Sequence, residues 1–268
     1  MSELQSPQYQ AYLRRNKRRK RLIWVTRTLL LLLFILSWEV STALHWVDSM
    51  LTGAPSKIIA SFQEYVFRSG ILYHSWVTTY ETVIGFLLSM VIGFILSILL
   101  WYSPFLSRVL DPYLVVLNAL PKVALGPIFY IWLGDRLSIY GMAVAISVIV
   151  TILMLNAGFQ ELSGSQLKLM QSFGANRWQI LRYVLLPASI PDFVATMKVN
   201  VGLTLVGVIM GEFLSSKAGL GYLILYGGQI FQMNLVMTSI VLLAILSIIL
   251  YGIVSFLGNL LLRKYHFQ

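Results

Sequence analysis

Charged side chains set inside apolar stretches are the residues of this 268-residue chain best placed to do chemistry: Glu39, Glu81, Lys122, Lys198 and Glu212. Each such group costs roughly 2.5 to 3.5 kcal/mol at mid-bilayer on insertion scales, so it turns toward protein or water rather than lipid. Lys198 lies deepest, about 16 Å along a helix from Pro187 at 1.5 Å per residue. Two readings stand for it: an intramembrane cation that draws an anionic solute through a pathway, or one half of an ion pair with Glu81 or a helix-end partner. Asn200 and Thr204 extend the polar character of the same stretch, and Lys122, beside Pro121, is a second candidate for the same role. Glu39 and Glu212 fall near the outer surface, where solvent would satisfy them, although Glu212 also stands at the end of the candidate pathway. Glu81 is within two turns of its helix start.

Other chemistries are excluded or unsupported. No GxxxxGK[ST] phosphate cradle occurs, and GLGYLI at 219 to 224 lacks the third glycine of a dinucleotide loop. The chain is therefore not expected to hydrolyse ATP or to be an enzyme. Ser165 and Lys168 fit S-x-x-K, but the companion motifs of that hydrolase class are missing. There are no cysteines, and His45, His74 and His266 are far apart without ligand spacing, so neither a metal nor a cofactor is expected.

The elements that must position these residues are membrane helices. With 58% hydrophobic and 11% charged residues and a mean hydropathy of +0.78, the chain has too little polar surface to close a soluble globule. A helix crossing hydrocarbon needs about 20 apolar residues, and six stretches of that order lie near 22 to 44, 74 to 101, 106 to 133, 138 to 159, 187 to 212 and 234 to 262. The expected fold is an all-α polytopic membrane protein of six transmembrane helices: a basic tail over 1–21, then one transmembrane domain over 22–268. The first stretch could also be a signal peptide, with Ser41 to Ala43 as small residues. It is read as retained, because its basic head exceeds a normal n-region.

The net charge of +10 is concentrated. Arg14, Arg15, Lys17, Arg18, Arg19, Lys20 and Arg21 stand directly before the first apolar run, a juxtamembrane cluster that anchors on anionic lipid headgroups of the cytoplasmic leaflet. No aromatic platform or soluble domain accompanies it, so nucleic acid is not an expected partner. Six spans put both termini on one side, and the basic N-terminus makes that side the cytoplasm. The loop at 160 to 186 then also falls inside with Lys168, Arg177 and Arg182, while external connections hold only Lys57, Arg68, Arg136 and Lys217. In the first external segment, Pro55 precedes an apolar stripe of Ile58, Ile59, Phe62, Tyr65 and Val66, which predicts a short helix on the membrane surface. Gly85, Ser89, Gly93 and Ser97 repeat every four residues along the second span, a face for close helix packing, and Gly207 and Gly211 do the same on the fifth. Pro121, Gly126 and Pro127 interrupt the third span, as a kink or beside a pathway.

The passage from Glu161 to Pro187, ELSGSQLKLMQSFGANRWQILRYVLLP, is the non-membrane stretch built for a task. Leu167, Met170 and Phe173 recur at helical spacing, Gly174 stops that helix, and Asn176 with Gln179 has the form of a capping box opening a second one. Trp178, Leu181 and Leu185 continue an apolar stripe that a simple loop would not need. The spacing of Gly174, Val184, Leu186 and Pro187 resembles the tail of the "EAA" loop in permease subunits of bacterial ABC importers. Lys168, Leu169 and Met170 stand where that motif has Glu-Ala-Ala, reversing a charge and adding bulk. A Pro-Ser opening at Pro55, the Pro121 to Gly134 run and Gly219-Leu-Gly221 after Glu212 are similar to the nitrate, sulfonate, taurine and bicarbonate branch of those permeases.

The resemblance runs from about residue 50 to 262. It implies a type I ABC importer transmembrane domain with a cytoplasmic coupling helix pair between spans four and five. It also implies a homodimer in the bacterial plasma membrane, two ATP-binding subunits and an extracytoplasmic solute-binding protein. Coupling to the ATPase would fall to Lys168, Met170, Phe173, Gly174, Ala175, Arg177, Trp178, Leu181 and Pro187. The translocation pathway would involve Lys198, whose position is often arginine in that family, with Asn200, Thr204, Lys122 and Glu212. The solute would be small and polar or anionic, a sulfonate, taurine or nitrate. The same architecture also serves thiamine-precursor pyrimidines. A secondary transporter is the rival from another class, but neither a second broken helix nor internal symmetry is visible.

Overall fold

The computed structural model describes residues 7–48, 52–68, 70–161 and 164–265, and His266 lies outside them. Among the described residues every regular element is helical. The chain divides into two compact units, Met1–Gln63 and Glu64–Gln268.

The first unit is built on α1 (Pro7–Ala43), whose 37 residues rise about 55 Å. The basic run from Arg14 to Arg21 is thus part of a continuous helix, and the large apolar residues from Leu22 to Leu36 are exposed along it. Glu39, expected to be merely solvated, has a task. Its carboxylate accepts from the Ser56 backbone N–H at 3.0 Å and hydroxyl at 2.7 Å, so a negative charge sits at the first turn of α2 (Pro55–Arg68), where the helix dipole favours it. The short helix expected here forms. Ile58 is buried while Ile59 and Phe62 are exposed, and the side chain of Val66 lies outside the described residues.

The second unit contains α3 (Ile71–Tyr102), α4 (Pro104–Ala119), a 3₁₀ turn (Lys122–Leu125) and α5 (Gly126–Glu161). After these come α6 (Gly164–Ser172), α7 (Arg177–Ile180), a π-helical turn (Leu181–Leu185), a single turn (Leu186–Ala188), α8 (Ile190–Ser215), α9 (Leu220–Gln229) and α10 (Met233–Lys264). Among the described residues, five helices are long and apolar enough to cross a membrane: α1, α3, α5 with its preceding 3₁₀ turn, α8 and α10.

The third expected span, near 106 to 133, is not one helix. Ser103 caps α4 by accepting from the Leu106 N–H, and Pro104 starts it. Leu120 is then held extended (ψ 139°), as the residue before a proline usually is. The 16 residues of α4 rise only about 24 Å. A second break falls at Gly134, in the connection expected between the third and fourth spans, where φ of 75° and ψ of −175° split α5 into a short arm and a long helix. This segment nevertheless runs the length of the bundle. Arg177 donates to the Tyr102 carbonyl at one end, and Gly126 packs on Leu214 at the other.

Small residues hold α3, α5 and α8 together. Gly85, Ser89, Gly93 and Ser97 are all buried, and their stripe lies against α5: a Cβ on Gly85 would come 2.9 Å from the Ala143 Cβ, and one on Gly93 2.5 Å from the Thr151 Cβ. From α8, a Cβ on Gly207 would come 2.6 Å from the Ala143 Cα, and one on Gly211 2.6 Å from the Ile139 Cα. The predicted small faces are therefore intramolecular seams, where dispersion at close range replaces the hydrophobic drive that lipid cannot supply. Their hydroxyls bond backward along their own helices, Ser97 to the Gly93 carbonyl and Ser147 to the Ala143 carbonyl. Apolar clusters close both ends: Ile71, Leu205, Leu220 and Leu235 at one, Leu155, Phe159, Leu181 and Leu185 at the other.

Candidate coupling surface and buried polar groups

The elbow between α6 and α7 forms as its sequence dictates. Gly174 takes φ 74°, the left-handed conformation that only glycine adopts freely. Its N–H donates to the Gln171 carbonyl at 2.9 Å, and the Ala175 N–H donates to the Met170 carbonyl at 3.0 Å, which satisfies carbonyls that would otherwise end the helix unpaired. Asn176 and Gln179 complete the capping box, each side chain accepting from the other's backbone N–H at 2.8 Å.

Beyond α7 the chain departs from the expected second α-helix. Residues Leu181–Leu185 wind as a π turn, a form common at functional sites. This wider turn carries Leu181 and Leu185 inward, where they are 2% and 0% exposed and pack on Leu155 and Phe159 of α5. Leu181 was expected to present itself to a partner; it instead secures the elbow to the chain's own core. The outward face carries Phe173, Trp178 and Tyr183, exposed by 76%, 61% and 65%. Lys168 is exposed, Met170 and Ala175 are half-buried, and Pro187 is half-buried in the turn before α8. Arg177 donates to the Tyr102 carbonyl and its guanidinium lies 5.7 Å from the Tyr102 ring centre. It is a strut from the elbow to the end of α3.

The intramembrane polar residues separate into three roles. Lys198 is half-buried on α8 and, among the described residues, has no acidic partner. The ion pair with Glu81 does not form, because Glu81 meets the Glu212 carboxyl, and Glu212 lies about 21 Å further along α8 than Lys198. Asn200 and Thr204, expected beside a pathway, are fully buried instead. The Asn200 amide donates to the Thr151 hydroxyl of α5 and to the Met90 sulfur of α3, and Thr204 packs against Gly85. Both clamp the three-helix seam. Lys122 donates from Nζ to the Asn118 carbonyl at 3.1 Å and to Oδ1 at 3.4 Å, closing the C-terminal end of α4, where a cation offsets the helix dipole.

Glu212 is neither solvated nor on an open path: at 1% exposed, it caps α9. Its Oε2 accepts from the Gly221 N–H at 2.5 Å and its Oε1 from the Thr78 hydroxyl at 2.6 Å. Thr78 Oγ1 also accepts from the Leu220 N–H at 2.8 Å, and His74 Nδ1 accepts from the Gly219 N–H at 3.0 Å. Side chains of α3 and α8 thus satisfy the free donors at the N-terminus of α9. The glycines of Gly219-Leu-Gly221 let the carboxylate approach: Gly219 adopts φ 109°, and a Cβ on Gly221 would lie 2.7 Å from Glu212 Oε2. His74 and Thr78 carried no signal in sequence beyond the Glu212 and glycine pattern they serve. Beside this cap opens a cavity of about 620 Å³, lined by Tyr80, Glu81, Arg136, Tyr140 and Lys217 among others.

Among known proteins, the chain is similar to the putative aliphatic sulfonates transport permease SsuC of Bacillus subtilis, with 27% identity over 254 residues covering 93% of this chain and 91% of the relative. It is also similar to the formylaminopyrimidine transport permease ThiX of Halalkalibacterium halodurans, 28% identical over 240 residues, covering 88% of this chain and 94% of that one. Its fold matches a chain of the MetNI methionine ABC transporter in an inward-facing conformation, with a TM-score of 0.62 at 20% identity over 72% of this chain and 95% of the other. Residues 85–266 match the family described as binding-protein-dependent transport system inner membrane component. That stretch holds the seam, the elbow and Glu212 with α9, and the chain belongs to this family of ABC importer permeases.

Proposed function

We propose that this permease draws a small polar or anionic solute, of sulfonate, taurine or nitrate type, from an extracytoplasmic binding protein into the cytoplasm. ATP hydrolysis on separate subunits would drive the movement by alternating access. The observation that carries the reading is the elbow: a glycine-hinged turn whose inner face is locked into the chain's core by Leu181 and Leu185 while Phe173 and Trp178 point outward. Such an element takes a push on its outer face and passes it to α5 and α8 without bending. The coupling residues are then Lys168, Met170, Phe173, Gly174, Ala175 and Trp178, with Arg177, Leu181 and Pro187 acting from behind as supports. Both termini would face the cytoplasm with the elbow. Two permease copies would pair two ATPase subunits, which α4 supports, since none of its residues is fully buried and Phe105, Val109, Val115 and Val116 are exposed. Lys198 is the pathway group that remains, half-buried and, among the described residues, without an acidic partner.

A second reading, import of a pyrimidine or another vitamin-like solute, is favoured by the comparable identity to the ThiX permease. Copurification tests the function first: the tagged chain should carry its ATPase subunit, and Phe173→Asp with Trp178→Asp should release it. Uptake into vesicles of the permease alone, with no nucleotide and no partner, would sink the importer reading. Competition among sulfonate, nitrate and pyrimidine for uptake by the reconstituted complex then separates the two solute classes.

A further inference from the structure

The elbow's end of the molecule carries a cleft that transport does not account for. It measures about 380 Å³ and lies where four elements converge: Phe94 of α3, Leu186 after the π turn, Phe193 of α8 and Leu261 of α10 form its walls. Arg182 and Tyr265, both exposed, also line it. The size falls within the roughly 300–1,000 Å³ of small-ligand sites, but the walls are apolar, which suits a hydrocarbon chain and not a polar solute.

The position fixes what kind of hydrocarbon. Leu261 is in the last turns of α10, where the apolar run gives way to Arg263 and Lys264, so the cleft sits at the edge between acyl chains and headgroups. Lys264 is one turn along α10 from Leu261. Arg182 is exposed, its guanidinium lying 5.7 Å from the Tyr183 ring centre. The carboxylates nearest in sequence to these walls do not offset it: Asp192 turns toward Gly158 of α5, and Glu161 stands exposed at the end of that helix. An apolar slot with a cationic rim is complementary to one class of molecule, a lipid with a negatively charged headgroup.

We propose that this cleft binds one anionic phospholipid, its acyl chain between Phe94, Phe193 and Leu261 and its phosphate on Arg182. Arg15 and Arg19 of the basic run on α1 line a different and more polar cleft, with Tyr12 and Asn16. Because the π turn and Leu186 form one wall, a bound lipid braces the elbow against α8 and α10.

The test uses the full-length chain, purified in detergent with an equal mixture of phosphatidylglycerol and phosphatidylcholine of matched acyl length. Native mass spectrometry then counts the lipid retained as delipidation proceeds. The wild type should hold one phosphatidylglycerol after the others are lost, with a preference of about tenfold over phosphatidylcholine, the size of a single charge-assisted contact. Arg182→Gln should remove the preference, and Arg182→Lys should keep most of it. Leu261→Trp, which fills the slot and leaves Arg182 in place, should lose the lipid as well, a result that loose attraction to a surface charge would not give. Arg19→Gln on α1 should leave this last lipid in place. Equal retention of the two lipids by the wild type overturns the proposal, as does unchanged retention in Arg182→Gln or in Leu261→Trp, the outcome if polypeptide covers the cleft. The readout needs no transport, so it stands or falls separately from the importer function.

Discussion

Replacing Gly174 by valine separates the elbow's backbone from its contacts. Gly174 holds φ 74°, and a Cβ built there meets nothing within 4 Å, so any effect of the substitution comes from conformation and not from collision. A left-handed L-residue is disfavoured by roughly 1–2 kcal/mol, and a β-branched one is a genuine outlier there. Relieving that strain means rotating φ, which opens the bonds from Gly174 to Gln171 and from Ala175 to Met170 and changes the angle between Phe173 and Trp178. At about 1.4 kcal/mol per factor of ten, ATPase association should weaken roughly 5- to 30-fold. The assay is titration of the solubilised permease with its purified ATPase subunit. Gly174→Asn should recover most of the affinity, since asparagine tolerates this conformation. Gly70→Val is the control, because Gly70 has φ 62° and equally open surroundings but starts α3 at the opposite end of the bundle. Wild-type affinity in Gly174→Val, or an equal loss in Gly70→Val, would refute the reasoning.

Three further outcomes follow from the same geometry. Phe173→Asp should abolish ATPase association without lowering the thermal midpoint of the permease, whereas Leu181→Asp, which places a charge among Leu155 and Phe159, should lower the midpoint sharply; similar midpoints for both would contradict the division into outer and inner faces. Gly221→Ala should destabilise the chain by about 1–3 kcal/mol, because its Cβ would press on Glu212 Oε2, and loss of secondary structure on heating should come earlier than in the wild type; an unchanged melting curve would remove Glu212 as the cap of α9. Lys198→Ala should reduce uptake of an anionic solute while ATPase association stays intact; unchanged uptake would leave Lys198 as a packing residue.

What could be read in the sequence was what neighbours in sequence decide. Gly174, Asn176 and Gln179 act on one another within six residues, so the helix stop and the capping box were visible before any fold was known. The small stripes of α3 and α8 were visible for a similar reason, since a period of four describes one helix face whatever covers it. What covers a face was not visible. The stripe of Trp178, Leu181 and Leu185 gave an apolar surface but no direction, and the π turn that separates Trp178 from the two leucines arises from packing on α5. The α9 cap was hidden because Glu212 is served by His74 and Thr78, more than 130 residues away in the chain. The third span was legible in part: Pro121 and Pro127 announced a break, and the break at Gly134 falls in the gap before the fourth expected span, but uniform hydropathy did not show that α4 would stop at Ala119.

The interlocked glycines between α3, α5 and α8 bear on how the molecule can move. Where a methyl group has no room, one helix cannot slide along its neighbour without prising the pair apart, so these three helices travel as a single block. Rearrangement during a transport cycle is therefore confined to the joints around the block, and the twice-broken passage from α4 to Gly134 is one of them. A clamp across that passage, such as a cysteine pair linking α4 to α5, should arrest the cycle, whereas one across the α5–α8 seam should leave it running.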